Sequence, residues 1–410
     1  MSEVFDLLIV GGGINGVGIA RDAAGRGVKV LLCERGDLAG ATSSASSKMI
    51  HGGLRYLEYG AFRLVRESLA EREVLLKTAP HLVRPMRFVL PHGPDSRSRW
   101  MVRLGLFLYD RLGGARSLPA SASVDLRGGA FAAPLQSWVR SGFVYSDCVV
   151  DDARLTNANA TDALRHGAEI LTHTAFRRAR REGGTWRAML AGENTTERTV
   201  AARVLVNAGG PWVVEVRALA GLTGPARLRL DKGSHIVVRR LYEGDHAYLL
   251  QNDDRRVVFA IPFERDYTLI GTTESQADNP EAEPVTDAEI AYLCRAVGRW
   301  FKRAPAPADI VQSFSGVRPL YDDGSSSSSE TSRDYVFELD DSGPPCLSVF
   351  GGKLTTYRRL AEAALARLAP HLPGMGPAWT AGAMLPDDAT ASAIKPAPPA
   401  RAPAGQTEDR

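Results

Sequence analysis

Three glycines in the stretch LIVGGGINGVG, Gly11, Gly13 and Gly16, keep the spacing G-x-G-x-x-G. This spacing suits anion binding. The first glycine permits a tight turn, the second lets backbone N–H groups approach a pyrophosphate, and the third lets a helix lie close on its strand. Ile14 and Asn15 lie within the same turn as cofactor-binding candidates, and the phosphates would sit at the helix start, where unpaired amides and the dipole favour negative charge. Glu34 follows Gly16 by 18 residues, where an acidic side chain can accept hydrogen bonds from ribose hydroxyls.

Arg35 comes next, then the run GDLAGATSSASSK. Thr42, Ser43, Ser44, Ser46, Ser47 and Lys48 supply hydroxyl, ammonium and amide donors able to wrap an extended cofactor past its pyrophosphate. Standing alone, such a run would read as a solvated loop. Two further strand ends carry glycine pairs: RVLVNAGGPW brings Ala208 and Gly209, and LSVFGGKLTTYR brings Gly351, Gly352, Lys353, Leu354 and Thr355. Distant glycine junctions of this kind suit one long ligand, and FAD fits better than NAD.

The elements that must position these residues can be read from periodicity. Residues 4–10 form a short, continuous apolar run, the pattern of a buried parallel strand. A helix from about 16 to 26 and a strand over 28–34 complete a strand–helix–strand unit. Further helices are predicted over 63–77, 98–112, 152–166 and 286–302, and a last one ends near 369. A strand is expected over 169–174, short strands around 186–206, and an antiparallel layer between about 228 and 275. The fold class is α/β with two domains: a Rossmann-type FAD-binding domain and an interleaved antiparallel-sheet substrate domain. The expected division gives the FAD-binding domain 1–85, 146–220 and 326–388. A substrate or cap segment covers 86–145 and the antiparallel substrate domain 221–325. The stretch 325–330 reads as a flexible loop and 389–410 as a disordered tail.

The 410 residues are 44% hydrophobic and 24% charged, ordinary for a globular chain. Fifty basic against 47 acidic side chains give no reason to expect nucleic acid as a partner. Four scattered cysteines form no C-x-x-C pair and suit neither a disulfide framework nor a metal site. No secretory leader is expected, and no apolar run reaches the roughly 20 residues needed to span a bilayer. The helix RWMVRLGLFLYDRL mixes Trp100, Leu104, Phe107 and Leu108 with Arg99, Arg103 and Arg111. It reads first as a packing helix and second as a basic amphipathic surface for an anionic membrane.

Together, ATSSASSKMIHGGLRYLE, SDCVVDDARL, KGSHIVV, GTT, SGVRPL, SRDY and FGGKLTTYR resemble the FAD-dependent aerobic glycerol-3-phosphate dehydrogenases over about residues 5–385. The resemblance implies a glutathione-reductase-type cofactor domain with non-covalent FAD. It also implies oxidation of sn-glycerol 3-phosphate to dihydroxyacetone phosphate and electron transfer to a membrane quinone. A cytoplasmic location with peripheral membrane contact follows as an expectation, and a homodimer is a further one. Glu274 stands where the family usually has Asp. Family members usually continue into a C-terminal helical domain of about a hundred residues, where this chain has its Pro/Ala-rich tail.

The implied roles fall on the matching residues. Arg55, Arg318 and Arg333 would hold the phosphate through their planar guanidinium forks, with Tyr56 and Thr272 as hydroxyl donors. The base for the C2 hydroxyl proton would be His235, with His51 second. Lys353 would donate to the flavin or to the phosphate. The alternatives are an oxidase that uses O2, an amino-acid oxidase of the same fold, and an FAD-binding protein impaired in turnover.

Overall fold

The computed structural model describes residues 4–192, 197–223, 228–322 and 334–387. The serine-rich stretch 325–330, Arg333 and the tail from 389 lie outside the described residues. The chain begins with β1 (Val4–Val10), α1 (Ile14–Gly25), β2 (Val30–Cys33), β3 (Met49–Ile50) and α2 (Phe62–Thr78). Next come β4 (Val83–Pro91), α3 (Arg99–Leu112), β5 (Ala122–Asp125), β6 (Ser141–Val150), α4 (Asp152–Arg165) and β7 (Glu169–Leu171). A hairpin of β8 (Thr174–Glu182) and β9 (Thr185–Gly192) precedes β10 (Arg198–Asn207) and α5 (Val213–Leu219). The strands β11 (Leu228–Arg239), β12 (Ala247–Gln251), β13 (Val257–Phe263), β14 (Tyr267–Gly271) and β15 (Ser275–Gln276) then lead to α6 (Asp287–Gly298). The described chain closes with β16 (Ile310–Tyr321), β17 (Val336–Asp340), β18 (Cys346–Phe350) and α7 (Tyr357–Leu368).

One sheet has the order β17-β18-β10-β1-β2-β7. The strands β18, β10, β1, β2 and β7 are parallel, and β17 is an antiparallel edge. Both faces are covered, which is why β1 and β2 read as continuous apolar runs. On one face Val17, Ala20 and Ala23 of α1 pack with Ala160 of α4 and Leu360 of α7. On the other, Trp186, Phe176 and Val216 close over the sheet. Val10 lies in register with Asn207, and Asn207 with Ser348. The glycines after β1, β10 and β18 therefore emerge along one sheet edge, the place where open α/β sheets bind ligands.

The second sheet runs β15-β11-β14-β13-β12-β4-β6-β3, with β16 beside β11 and β5 beside β6. Its antiparallel strands β11 to β14 occupy the region where alternating patterns predict them. Sequence patterning does not reveal β4 and β6, which pair along their full lengths from Val83↔Val150 to Pro91↔Gly142. As a result β6 carries this sheet past the boundary expected at 145. Helices α2, α3, α4, α6 and α7 fall within a few residues of the periodic stretches. The strand expected over 169–174 ends at Leu171, because His173 takes φ 50 and turns the chain into β8. All four cysteines are buried free thiols: Cys33 and Cys346 in the first sheet, Cys148 in the second and Cys294 in α6.

Candidate active site

The ends of β1, β10 and β18 open, together with the second sheet and α3, on one cavity of about 620 Å³. That volume suits a small-molecule or cofactor site. The turn after β1 is tight. A Cβ on Gly16 would lie 1.9 Å from the Gly11 carbonyl oxygen, and one on Gly11 would lie 2.4 Å from that of Ala208. Gly13, Ile14 and Asn15 line the cavity. The Ile14 amide donates to Ser43 Oγ at 2.9 Å. Asn15 Nδ2 donates to the Gly351 carbonyl at 3.2 Å.

Glu34 does something the sequence did not suggest. Its carboxylate accepts from the Gly12 amide at 2.6 Å and the Gly36 amide at 2.9 Å, tying the glycine turn to the end of β2. The Arg35 guanidinium stacks 4.0 Å over Trp212 and pairs with Glu281 at 3.0 Å, away from the cavity wall. The serine-rich loop divides its labour. Thr42, Ser43, Ser46 and Ser47 line the cavity, whereas Ser44 and Lys48 do not. Thr42 Oγ1 donates to the Val317 carbonyl at 2.6 Å, pinning the loop to the second sheet. Asp152, fully buried at the start of α4, accepts from Ser46 Oγ and from Lys48 Nζ, each at 2.6 Å. Burial pushes the Asp152 carboxyl up, and the Lys48 ammonium opposes that shift. At the other junctions Ala208, Gly210, Gly351, Gly352, Lys353 and Leu354 line the cavity, and Gly209 does not. Thr355 turns instead to His51, bonding both its amide and its carbonyl at 3.2 Å.

His51, Arg55, Tyr56, Thr272, Arg318 and Lys353 line the same cavity. Arg318 Nη2 lies 3.4 Å from Thr272 Oγ1. Gly233 makes room for this pair, since a Cβ there would stand 2.5 Å from Arg318 Nη2 and 2.7 Å from Thr272 Oγ1. Arg55 Nη2 reaches Tyr59 Oη at 3.4 Å. The Lys353 ammonium bonds the His51 carbonyl and lies 5.3 Å from the Tyr56 ring centre.

His235 lies just behind the cavity wall. Its ring is 1% exposed, stacks on Phe314 at 4.9 Å, and does not line the cavity. Nε2 meets Ser47 Oγ at 2.9 Å. Burial first, then the nearby Arg318 and Lys48 charges, push its pKa down to about 3. Of the two candidate bases, His51 lines the cavity directly, and His235 reaches it through the lining residue Ser47.

Sequence reading missed Asp152, Gly233 and the buried pair Tyr109 and Asp147 beneath the His51 turn. Only SDCVVDDARL, which holds both aspartates, hinted at them. It also missed the cluster at the cavity edge, where Arg97 bonds Glu58 and, at 3.2 Å, Gln251 Oε1.

The polar atoms of lining residues that are buried with no hydrogen-bond partner among the described residues include Asn15 Oδ1 and Arg55 Nε. Buried polar groups without partners are rare, and these two suit a polar cofactor and an anionic substrate on either side of the cavity. Residues 6–358 match the family described as FAD dependent oxidoreductase. The chain belongs to this family. FAD is its cofactor, and the glycine junctions and serine-rich loop fit it.

Within the family, the chain is 55% identical over 390 residues to a glycerol-3-phosphate dehydrogenase of Pseudomonas aeruginosa, covering 94% of this chain and 76% of the relative. It is 52% identical over 395 residues to the D-erythritol 1-phosphate dehydrogenase of Brucella abortus, covering 95% and 79%. The aerobic glycerol-3-phosphate dehydrogenase of Escherichia coli is 52% identical over 392 residues, covering 94% and 78%. Among solved structures, the glycerol-3-phosphate dehydrogenase of Bacillus halodurans complexed with FAD superposes with a TM-score of 0.71 at 28% identity. That match covers 92% of this chain and 67% of the other.

Proposed function

We propose that the protein oxidises sn-glycerol 3-phosphate to dihydroxyacetone phosphate and passes the electrons to a membrane quinone. The observation that carries this reading is that Arg55, Arg318, Lys353 and His51 all line the cavity onto which the FAD junctions open. Two guanidinium groups and an ammonium in one partly enclosed site suit a dianionic phosphate better than a single carboxylate. The relatives named for glycerol 3-phosphate support the same substrate.

The phosphate binds Arg318 and Arg55, with Thr272 and Tyr56 donating hydroxyls, and this fixes C2 relative to the cofactor. His51 accepts the C2 hydroxyl proton, a role its cavity position suits better than that of buried His235. The flavin, when bound, supplies the acceptor for the C2 hydride. Lys353 holds the His51 carbonyl and contributes positive charge beside the reacting atoms. Arg333 is assigned to the phosphate by motif alone and lies outside the described residues.

The quinone and membrane readings rest on α3. Trp100 is 70% exposed, with Met101, Leu104 and Phe107 exposed beside it. Met101 and Leu104 also line the cavity, so one apolar surface runs from the site to the outside. With Arg99, Arg103 and Arg111 on the same helix, this surface suits an anionic bilayer where a quinone resides. Among the described residues no helix is long and apolar enough to cross a membrane.

A second reading is oxidation of a longer polyol phosphate, favoured by the D-erythritol 1-phosphate dehydrogenase relative. Anaerobic bleaching of the flavin tests both. Glycerol 3-phosphate should bleach it at low concentration, and glycerol and amino acids should not. Faster bleaching by D-erythritol 1-phosphate would replace the first reading with the second. Hydrogen peroxide formed at the turnover rate, with no gain from added quinone, would make the protein an oxidase.

A further inference from the structure

Beneath the His51 turn lies a polar chain that no role above uses. Asp147 is 1% exposed on β6, and Tyr109 of α3 is 3% exposed. The Tyr109 hydroxyl lies 2.9 Å from Asp147 Oδ1 and 2.8 Å from Oδ2. The Gly52 amide lies 2.7 Å from the same hydroxyl. Arg72 Nη1 reaches Asp147 Oδ1 at 2.8 Å and the Ser146 carbonyl at 3.0 Å.

The chemistry of these groups fixes the direction of each bond. An ionised carboxylate only accepts, and a phenol has one proton. Tyr109 therefore donates to Asp147, and its oxygen is left to accept from the Gly52 amide. Burial pushes the Asp147 carboxyl up, and the Arg72 guanidinium 2.8 Å from Oδ1 opposes that shift by favouring the ionised form. Contact here is close: a Cβ on Gly52 would stand 2.6 Å from the Tyr109 hydroxyl and 2.5 Å from Leu69 Cδ2. Gly53 follows in the left-handed region at φ 77. The turn is thus held from below by Tyr109 and from the side by Thr355 and Lys353, which bond the His51 backbone.

We propose that Tyr109, oriented by Asp147, is a positioning residue that sets the His51–Gly52–Gly53 turn so that His51 meets the substrate hydroxyl. The inference rests on the proposed role of His51 as the base. Removing Tyr109's oxygen leaves the Arg72–Asp147 pair in place but frees the Gly52 amide and takes one donor from Asp147, so the turn loses its register while the core keeps its ion pair.

The test is anaerobic stopped-flow flavin reduction at saturating glycerol 3-phosphate, with FAD content and substrate Kd measured in parallel, on the full chain. Tyr109→Phe should keep FAD and bind substrate within about twofold, yet reduce flavin about tenfold more slowly, the loss of one hydrogen bond at the reacting geometry. Asp147→Asn, which keeps the shape and one acceptor oxygen, should act in the same direction with a smaller effect. His51→Ala should slow reduction about a hundredfold. In the His51→Ala background, Tyr109→Phe should then cost nothing further, because residues acting through one group are not additive. A full tenfold loss in that background, or none in the wild-type background, overturns the positioning role while leaving His51 as the base. Unimpaired flavin reduction in His51→Ala overturns the base assignment itself. If both Tyr109→Phe and Asp147→Asn fail to fold with FAD, the chain serves folding and the proposal is wrong.

Discussion

Asp152 offers the sharpest test of how the serine-rich loop holds FAD. Its carboxylate accepts from Lys48 Nζ and Ser46 Oγ at 2.6 Å each, from the Ala153 amide at 3.0 Å and from the Ser46 amide at 3.3 Å. Asp152→Ala removes all four acceptances and strands the Lys48 ammonium, whose side chain is only 20% exposed. Breaking a buried ion pair from one side costs about 3–5 kcal/mol. Thr42, Ser43, Ser46 and Ser47 line the cavity, so much of that cost should appear where the cofactor binds. A loss of about 3 kcal/mol corresponds to a Kd for FAD weakened on the order of a hundredfold. Asp152→Asn keeps shape and one oxygen, and should cost about 1–2 kcal/mol. The assay is titration of apoprotein with FAD by flavin fluorescence, with Tm measured with and without FAD. Arg181→Gln serves as the control, since it breaks the Arg181–Asp340 pair remote from the cavity and should lower Tm without touching the FAD Kd. If Asp152→Ala lowers the Tm of apoprotein and holoprotein equally and leaves the FAD Kd unchanged, Asp152 is a core ion pair and the loop argument fails.

Three further outcomes are expected. Arg55→Ala and Arg318→Ala should each lower kcat/KM for glycerol 3-phosphate by about 2–4 kcal/mol in activation free energy and leave the slow reaction with glycerol nearly unchanged; equal losses for both substrates in stopped-flow reduction would make the arginines structural. Gly16→Ala should yield colourless protein, because its Cβ would stand 1.9 Å from the Gly11 carbonyl oxygen, and absorbance at the flavin bands reads the result. Stability should fall on acidification in two windows. His235, held neutral when folded, loses its share as pH drops from 6.5 towards about 3. Glu289 is raised by burial, but the Thr286 amide, Ser234 and Lys232 outweigh that and hold it down to about 2, so its share is present above 4.5 and lost below. Urea midpoints against pH should flatten in the upper window for His235→Gln and in the lower one for Glu289→Gln.

The strand, glycine turn and helix at the start of the chain were legible because their meaning is local: apolar run, spacing and helix period all fall within about 30 residues. The same holds for α2, α3 and α4, whose periodic faces need no partner to be seen. Strands β4 and β6 escaped because Val83–Pro91 mixes arginines and prolines and is stabilised by pairing with strands distant in sequence, β6 and β12. The burial of His235 was hidden for a related reason. A histidine at a strand mouth reads as accessible, but Phe314 on the neighbouring β16 covers it once the two strands pair. Asp147 and Asp152 lay within a quoted motif, yet their partners Tyr109, Arg72 and Lys48 come from other elements, and no spacing announces them.

The buried cysteines give the molecule an internal clock. Burial pushes the Cys33 and Cys346 thiols up to about 12 and also raises Cys148 and Cys294, so none offers a thiolate to a reagent while its layer stays closed. Cys33 and Cys346 sit on either side of the parallel sheet's middle, Cys148 lies against Ile50 beside the His51 turn, and Cys294 packs under the antiparallel sheet. Alkylation therefore times the breathing of the parallel sheet at Cys33 and Cys346, of the turn at Cys148 and of the antiparallel sheet at Cys294, and mass spectrometry can read all of them from one sample. Adding FAD should slow the clock at Cys148 and Cys33 before it slows the one at Cys294, since the cofactor braces the sheet edge and the turn but only indirectly the helix behind the far sheet.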